Sequence, residues 1–514
     1  MSTEPKKVDR RKFLYAGVGA AIIVLGGATL YLATKPAETV TSVSTSTATT
    51  TATTATTVPT TSVVTTTVPT TTTVSTTSTA TTTSSVAAKP IEIWWVTEFF
   101  AEEQLAFMEI ANDFTKETGI PVHVTFYDFQ AAEAKLFTAI KTGQVPDMSN
   151  DIGTALGARL AWEGALLDVS DVIEDLKKTG DLIPVALEDC YIVDGVSKKR
   201  SYYQVPHALQ PFVNTYWADV LEKYTGASKP PEDWDGWWGT FKKAQDNGAM
   251  KDLGMYAIAF CLYSAGGDSE DAFSETMFAY GANPLTGDGK VNYKDAGFKK
   301  AVTETLDFIV GLYKNGYVPP GATAWDDSSN NVAVESKKVI MTYSNGSLSI
   351  PLWFSRNQKE NYDKYIYWAD FPKKGPYGNE YKLSLIGGTV SFVMKDGKNT
   401  EGAKQFIEYF MRPENYNRWF LGYGYRYLPV LKPSLETLPL YTNSNDHNVY
   451  PSKFYLERGT ADYRYVNPVW GKASYGEHVW SDMMTGVLVK NKSISEAVDT
   501  AFSRLEELSK QYGE

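Results

Sequence analysis

Hydrophobic and polar positions fall into three regimes along the chain. From Leu14 to Ala33 nearly every residue is apolar. From Thr39 to Ser85 nearly every residue is Thr, Ser, Val or Ala, with a few Pro. From Lys89 onward, periodic segments alternate with Gly and Pro breaks. An apolar run of about 20 residues is long enough to span a bilayer. The Thr-rich stretch lacks the side chains to bury a core and resembles an O-glycosylated stalk. It would reach roughly 40 Å as a coil and about 160 Å as extended polyproline II. Globular structure is therefore expected only beyond residue 88, and that remainder is long enough for two domains.

The first periodic segments predict strand, helix, strand, helix, strand. Ile91–Val96 reads as a strand. A helix with apolar Leu105, Phe107, Met108, Ile110, Ala111 and Phe114 follows and ends at Gly119. Val122–Phe126 is the second strand, Lys135–Lys141 closes a second helix before Gly143, and a third strand begins near Met148. This β-α-β-α-β order predicts a parallel sheet with right-handed crossovers. Ligands bind such sheets at the carboxyl ends of the strands, which singles out Thr97, Glu98, Asp147, Asn150, Asp151 and Thr154.

The stretch Ser201–Trp238 organises the rest. Ala208–Tyr216 is apolar without polar alternation, so it reads as one strand buried on both faces. It is expected to carry the chain from a first lobe to a second. Helices are predicted near 217–224, 232–246 and 296–315, and a strand at 338–343 presents Asn345-Gly346-Ser347. Leu383–Val393 reads as the return crossover, where Gly387-Gly388 lets backbones approach closely. A helix at 401–411, the segment Tyr423–Pro429, and helices near 472–488 and 494–511 complete the chain. The expected division is 1–36 signal peptide or membrane anchor, 37–88 stalk, and 89–209 first lobe. Residues 210–386 would form the second lobe, 387–435 would return to the first, and 436–514 would add C-terminal helices to the second.

Charge narrows the partners. Net charge is −11. Lys6, Lys7, Arg10, Arg11, Lys12 and Lys35 against Glu4, Asp9 and Glu38 leave the first 88 residues at +3 and the remainder at −14. An acidic body argues against nucleic-acid and polyanion partners. Aromatic residues reach 13%, and such rings suit a cleft for a ligand with apolar and hydroxyl faces. Cys190 and Cys261 form no CxxC; an extracellular setting permits a bridge between them, and buried free thiols are the favoured alternative. Asp9-Arg10-Arg11-Lys12-Phe13-Leu14 resembles a twin-arginine export signal. No Ala-x-Ala site stands near the end of the apolar run and no Cys is placed for a lipid, so a retained anchor and a cleaved signal both stay open.

Catalytic signatures are absent: no HExxH, GxSxG or GxxxxGK[ST]. His123, His207, His447 and His478 lack metal-ligand spacing. His207 beside the crossover reads as structural before it reads as a ligand contact. Asp268, Glu270 and Asp271 lack calcium-loop spacing and read as a solvated turn. No metal or cofactor is expected. Sequons stand at Asn345 and Asn491, the latter a plausible glycan site.

Five ordered motifs carry a family resemblance. They are Lys141-Thr142-Gly143-Gln144-Val145-Pro146-Asp147, then Val205-Pro206 followed by Pro231-Glu232-Asp233-Trp234. Next come Tyr280-Gly281-Ala282-Asn283-Pro284-Leu285, Ile340–Ser347, and Ile386-Gly387-Gly388-Thr389 ahead of a helix. Together they resemble the family 1 extracellular solute-binding proteins of ABC importers, the maltose-binding-protein type. The resemblance implies an α/β, two-lobed periplasmic-binding-protein fold, each lobe a mainly parallel sheet flanked by helices. It implies a non-enzyme that closes about a hinge around a carbohydrate, an oligosaccharide first, and docks an ABC permease from the extracellular face of the membrane. Ligand contacts are expected from Trp95, Thr97, Glu98, Asp151, Thr154, Gln210, Trp325, Asn345, Gly346, Gly388, Tyr425, Arg426 and Trp470. Each ring in that set suits a core as well as a cleft. A surface lectin or adhesin on the same scaffold, and a secreted glycoside hydrolase, are the rival readings.

Overall fold

Alternation in Ile91–Thr97 (β1) puts Ile91, Ile93 and Trp95 on one fully buried face. The helix Ala101–Thr118 (α1) lays Ala106, Phe107, Ile110, Ala111 and Phe114 against the first lobe's core and stops at Gly119, whose φ of 75° favours a residue without Cβ. Val122–Asp128 (β2) pairs parallel to β1. Asp128 then caps Phe129–Thr142 (α2) by accepting from Ala131 N. Met148–Ile152 (β3) pairs parallel on the other side of β1, and Ala155–Trp162 (α3) follows. In this computed structural model the described residues are 88–513, apart from 98–99, 153–154, 180, 265, 287–288, 382–385 and 458–466. The expected signal or anchor, and most of the expected stalk, lie outside them.

The apolar run expected as one strand is broken. Val205–Pro206 (β4), Ala208–Gln210 (β5) and Asn214–Trp217 (β6) belong to three different sheets. Pro211 sits at the break, where a residue without an N–H cannot extend a ladder. The second lobe continues through Ala218–Thr225 (α4), Trp234–Ala244 (α5), Tyr256–Ala259 (β7), Gly267–Ala279 (α6) and Ala296–Lys314 (α7). Val339–Thr342 (β8), Ser349–Asn357 (α8) and Ile366–Ala369 (β9) follow. The return runs through Ile386–Gly387 (β10), Thr389–Val393 (β11), Thr400–Phe410 (α9), Pro413–Gly422 (α10) and Leu428–Pro429 (β12). Val479–Leu488 (α11) and Ile494–Tyr512 (α12) close the chain.

Three sheets define the architecture. A five-stranded sheet has the order β2-β1-β3-β11-β4, and a four-stranded sheet the order β9-β6-β8-β7. Between them stands a three-stranded sheet, β10-β5-β12. Pairing is parallel among β1, β2 and β3 and between β7 and β8. It is antiparallel wherever a crossing or returning strand joins: β11 on β3 and β4, and β6 on β8 and β9. Helices join the parallel pairs, while the crossing segments re-enter from the opposite end.

Each lobe has an aromatic core. In the first, Trp95 stacks on Phe107 at 3.8 Å between ring centres and meets Trp419 edge-on at 6.3 Å. In the second, Tyr343 lies 4.7 Å from Trp238 and 5.2 Å from Phe260. Such pairs add about 0.5–1.5 kcal/mol each beyond the area they bury. The final helix packs Phe502 on Phe298 of α7 at 5.1 Å, and its Tyr512 reaches Trp162 of α3 at 6.5 Å.

Candidate functional site

The two larger sheets are linked by the short β10-β5-β12 sheet, and several predicted residues converge there. Gln210 pairs with Ile386, and Leu209 pairs with both Gly387 and Leu428. Gly388 is pressed against this junction: a Cβ on it would stand 2.2 Å from Ala208 O and 3.0 Å from Gln210 N. The Gln210 amide covers Gly346, where a Cβ would come within 2.0 Å of Nε2. Val213 and Asn345 exchange backbone bonds of 2.9 and 3.0 Å, and Leu348 N donates to Arg426 O at 2.8 Å. Tyr425, buried, holds φ at 60°, an uncommon backbone state for a ring-bearing residue. Gln210, Asn345, Gly346, Gly388, Tyr425 and Arg426 thus share one neighbourhood at the junction of the lobes.

The sheet ends that face this junction supply the rims. On the first lobe, Thr97 ends β1 and its Oγ1 donates to Tyr127 O at 3.4 Å. Asp151 is placed by its backbone, opposite Val390 in the β3–β11 pair. Glu98 and Thr154 lie outside the described residues. On the second lobe, Asn345 Nδ2 donates to Asn331 Oδ1 at 2.5 Å, while its Oδ1 accepts from Ser347 N at 3.1 Å. Beside Asn331, Asn330 Nδ2 donates to Asp268 Oδ2 at 2.8 Å, and Asp268 N donates to Asp327 Oδ1 at 3.0 Å. Half-buried Trp325 stands two residues before Asp327. Burial, then the charge of Asp271, pushes the Asp268 carboxyl up to about 7.

Three expectations need correction. Trp95 is a core residue: strand alternation turns it inward with Ile91 and Ile93, and its Nε1 donates to Glu103 Oε1 at 3.2 Å. Trp470 is also fully buried, 5.2 Å from Trp480 and 6.1 Å from Phe298, because the helix pair α11–α12 closes over it. Neither ring offers a face to a ligand. The acidic cluster is not a solvated turn either. Glu270 and Asp271 are buried in the first turns of α6, Ser481 N donates to Glu270 Oε1 at 2.8 Å, and Tyr475 OH donates to Asp271. Burial raises the Glu270 carboxyl well above its ordinary range.

Other readings come out as follows. His207 is fully buried among Trp95, Phe410 and Trp419, with neither ring nitrogen hydrogen-bonded, and burial lowers it to about 3. It is neutral and packs the first core. Cys190 and Cys261 are buried free thiols. Among the described residues no group of three or more His, Cys, Asp or Glu is arranged to hold a metal ion, and no helix is long and apolar enough to cross a membrane. Cavities of about 550 and 320 Å³ lie elsewhere, one bounded by Asp219, Tyr367, Trp368 and His447, the other by α11 and α12. No local pattern in the sequence marks Asn331 or Asp327; each is held by a side-chain contact to another segment of the chain.

The comparisons agree with this architecture. Residues 109–445 match the model of a family described as bacterial extracellular solute-binding protein. Among solved structures, a sugar transporter protein from Arthrobacter chlorophenolicus A6 with bound laminaribiose is 19% identical at a TM-score of 0.64, covering 81% of this chain and 99% of its own. The sugar-binding protein MalE from Xanthomonas citri is 20% identical at 0.62, covering 82% and 98%. Maltose-bound T. maritima MalE3 is 18% identical at 0.64, covering 82% and 100%. No curated protein matches significantly. With well over half of its length matched by that family model, the chain belongs to the bacterial extracellular solute-binding proteins.

Proposed function

We propose that this protein is the extracellular receptor of an ABC importer and that it delivers a carbohydrate, an oligosaccharide first, by closing its lobes about the β10-β5-β12 junction. The observation that carries the reading is the shared fold: neighbours bound to laminaribiose, maltose or acarbose align over nearly their whole length. The chemistry at the junction supports it. The amide of Gln210, the carboxylate of Asp327 and the guanidinium of Arg426 are groups that take hydroxyls, and Tyr425 and Trp325 supply ring faces, whereas the expected Asn345 contact is corrected to a structural one, its amide being buried and bonded within the protein. Ligand groups that touch both rims favour the closed arrangement, and that arrangement is what a permease would read. Binding and release need no covalent step, which fits a family of binding proteins.

The N-terminal residues fit the same reading. The twin-arginine-like segment would direct export, the apolar run would tether the chain, and the Thr-rich stretch would set its reach. Exposed Asn491 suits a glycan, whereas Asn345 has its amide buried and bonded on both sides.

The test is titration of the full chain in detergent with maltose and laminaribiose, followed by tryptophan fluorescence. A saturable response is expected. A response confined to peptides or inorganic anions would remove the carbohydrate assignment, and turnover of either sugar would replace a receptor with an enzyme.

A further inference from the structure

Beside the junction, a side-chain contact spans the two lobes in a manner that no local motif foretells. Arg356 lies in the last turn of α8, on the second lobe. Its guanidinium carbon stands 4.4 Å from the ring centre of Phe100, which caps α1 on the first lobe. Beneath both lies Gly424, just beyond α10. A Cβ there would meet Phe100 Cε2 at 2.8 Å and Arg356 Nη2 at 2.9 Å. Its φ of 75° also disfavours a side chain there. The slot that admits the guanidinium exists because residue 424 has no side chain.

We propose that Arg356 is a latch that holds the lobes together before any solute arrives, with Phe100 as its striker and Gly424 as the recess. A planar cation over a ring face is attracted by the ring's quadrupole, and at an exposed site the effect amounts to roughly a two- to fivefold bias. Phe100 and Arg356 sit on different lobes, so the attraction exists only in arrangements that bring those lobes together. It therefore adds to the closed state alone. Helix geometry assists, because a cation in the last turn of α8 is already favoured by the helix dipole. The strength suits the role: a bias of this size populates near-closed forms without locking the crevice against entry. The covered face of Phe100 is, for the same reason, not a platform on which a sugar ring stacks. The latch rests on the hinge-closure reading above.

The test uses the full chain in detergent, without solute. Spin labels go on Lys116→Cys of α1 and Lys300→Cys of α7, side chains that are 75% and 69% exposed. Native Cys190 and Cys261 are buried and compete little for label. Pulsed electron resonance then gives the distribution of lobe separations. Arg356→Gln should raise the ratio of separated to close forms about two- to fivefold, and Arg356→Lys should raise it less, since charge remains. Phe100→Leu should reproduce the Arg356→Gln shift, and the double variant should add nothing to it, as for any pair that acts together. An unchanged distribution in Arg356→Gln, or additive shifts in the double variant, would overturn the latch. If maltose or laminaribiose still draws the labels together in that case, hinge closure stands without it. Separations that neither substitution nor either sugar moves would overturn both.

Discussion

Trp95 is held between two groups that titrate in opposite senses. Its Nε1 donates to the buried Glu103 carboxyl, which burial raises from 4.5 to about 7. Its ring faces His207 at 5.7 Å, which burial lowers from 6.5 to about 3. Glu103 stays protonated in the fold, so its contribution is fully present below pH 4.5 and is lost as pH rises through 7. His207 stays neutral, so its contribution is fully present above pH 6.5 and is lost as pH falls toward 3. Thermal stability is therefore expected to peak between these limits and to decline on both sides. Asp268 and Glu335, also raised to about 7 by burial, steepen the alkaline side. Glu103→Gln keeps the shape without the charge. It should flatten the alkaline decline and recover up to about 3 kcal/mol at pH 8, at roughly 1.4 kcal/mol per pH unit of displacement. Melting curves from pH 3 to 9 check this; an alkaline limb identical to that of the parent would exclude Glu103 as its source.

At the scale of elements, the junction depends on backbone meeting backbone. A Cβ on Gly388 meets the carbonyl of Ala208, which cannot swing away as a side chain does, whereas a Cβ on Gly346 meets only the movable end of Gln210. Gly388→Ala should thus cost about 2–4 kcal/mol, and Gly346→Ala clearly less. Denaturant unfolding of the two variants gives the comparison, and equal losses would contradict it. The same contrast explains what could be read in advance. Strands and helices with strong periodicity, from β1 through α2, and the glycine stops at Gly119 and Gly143, were legible because their causes are local. The close approach at Gly388 was legible in its paired glycines, whereas the apolar run around Gln210 was expected as one strand and is broken at Pro211. Helix α6 was not legible: every residue from Ser269 to Ala279 is buried, Glu270 and Asp271 included, so its polar residues mark no exposed face. Trp95 and Trp470 were misplaced because a ring that packs and a ring that binds look alike in one dimension. Asn331 and Arg356 act through partners 14 and 256 residues away along the chain, beyond any local signal.

For the whole molecule, negative charge and the apolar run are separated. The first 88 residues are basic and carry the apolar run, and the rest is acidic. An acidic body is repelled by an anionic membrane surface, so the tether and long polar spacer proposed above would keep it near without adhesion. We expect the full chain to fractionate with membranes and to resist extraction by high salt, and a chain beginning at Ser84 to be released. N-terminal sequencing of the membrane form should read through residues 10–33. Recovery of the native chain in the soluble fraction with a new N-terminus past the apolar run would show a cleaved signal instead.

The placement of β11 has a consequence for synthesis. This strand lies between β3 and β4 inside the five-stranded sheet, yet it is encoded some 180 residues after β4. A nascent chain halted anywhere before Val393 holds β3 and β4 with a gap between them. Until then the ribosome has displayed two unfinished halves with open strand edges, the form most prone to pairing with a neighbour's edge. Assembly of the first lobe must wait for translation to pass most of the second, so a cell making this protein has to shield an incomplete sheet for as long as that takes.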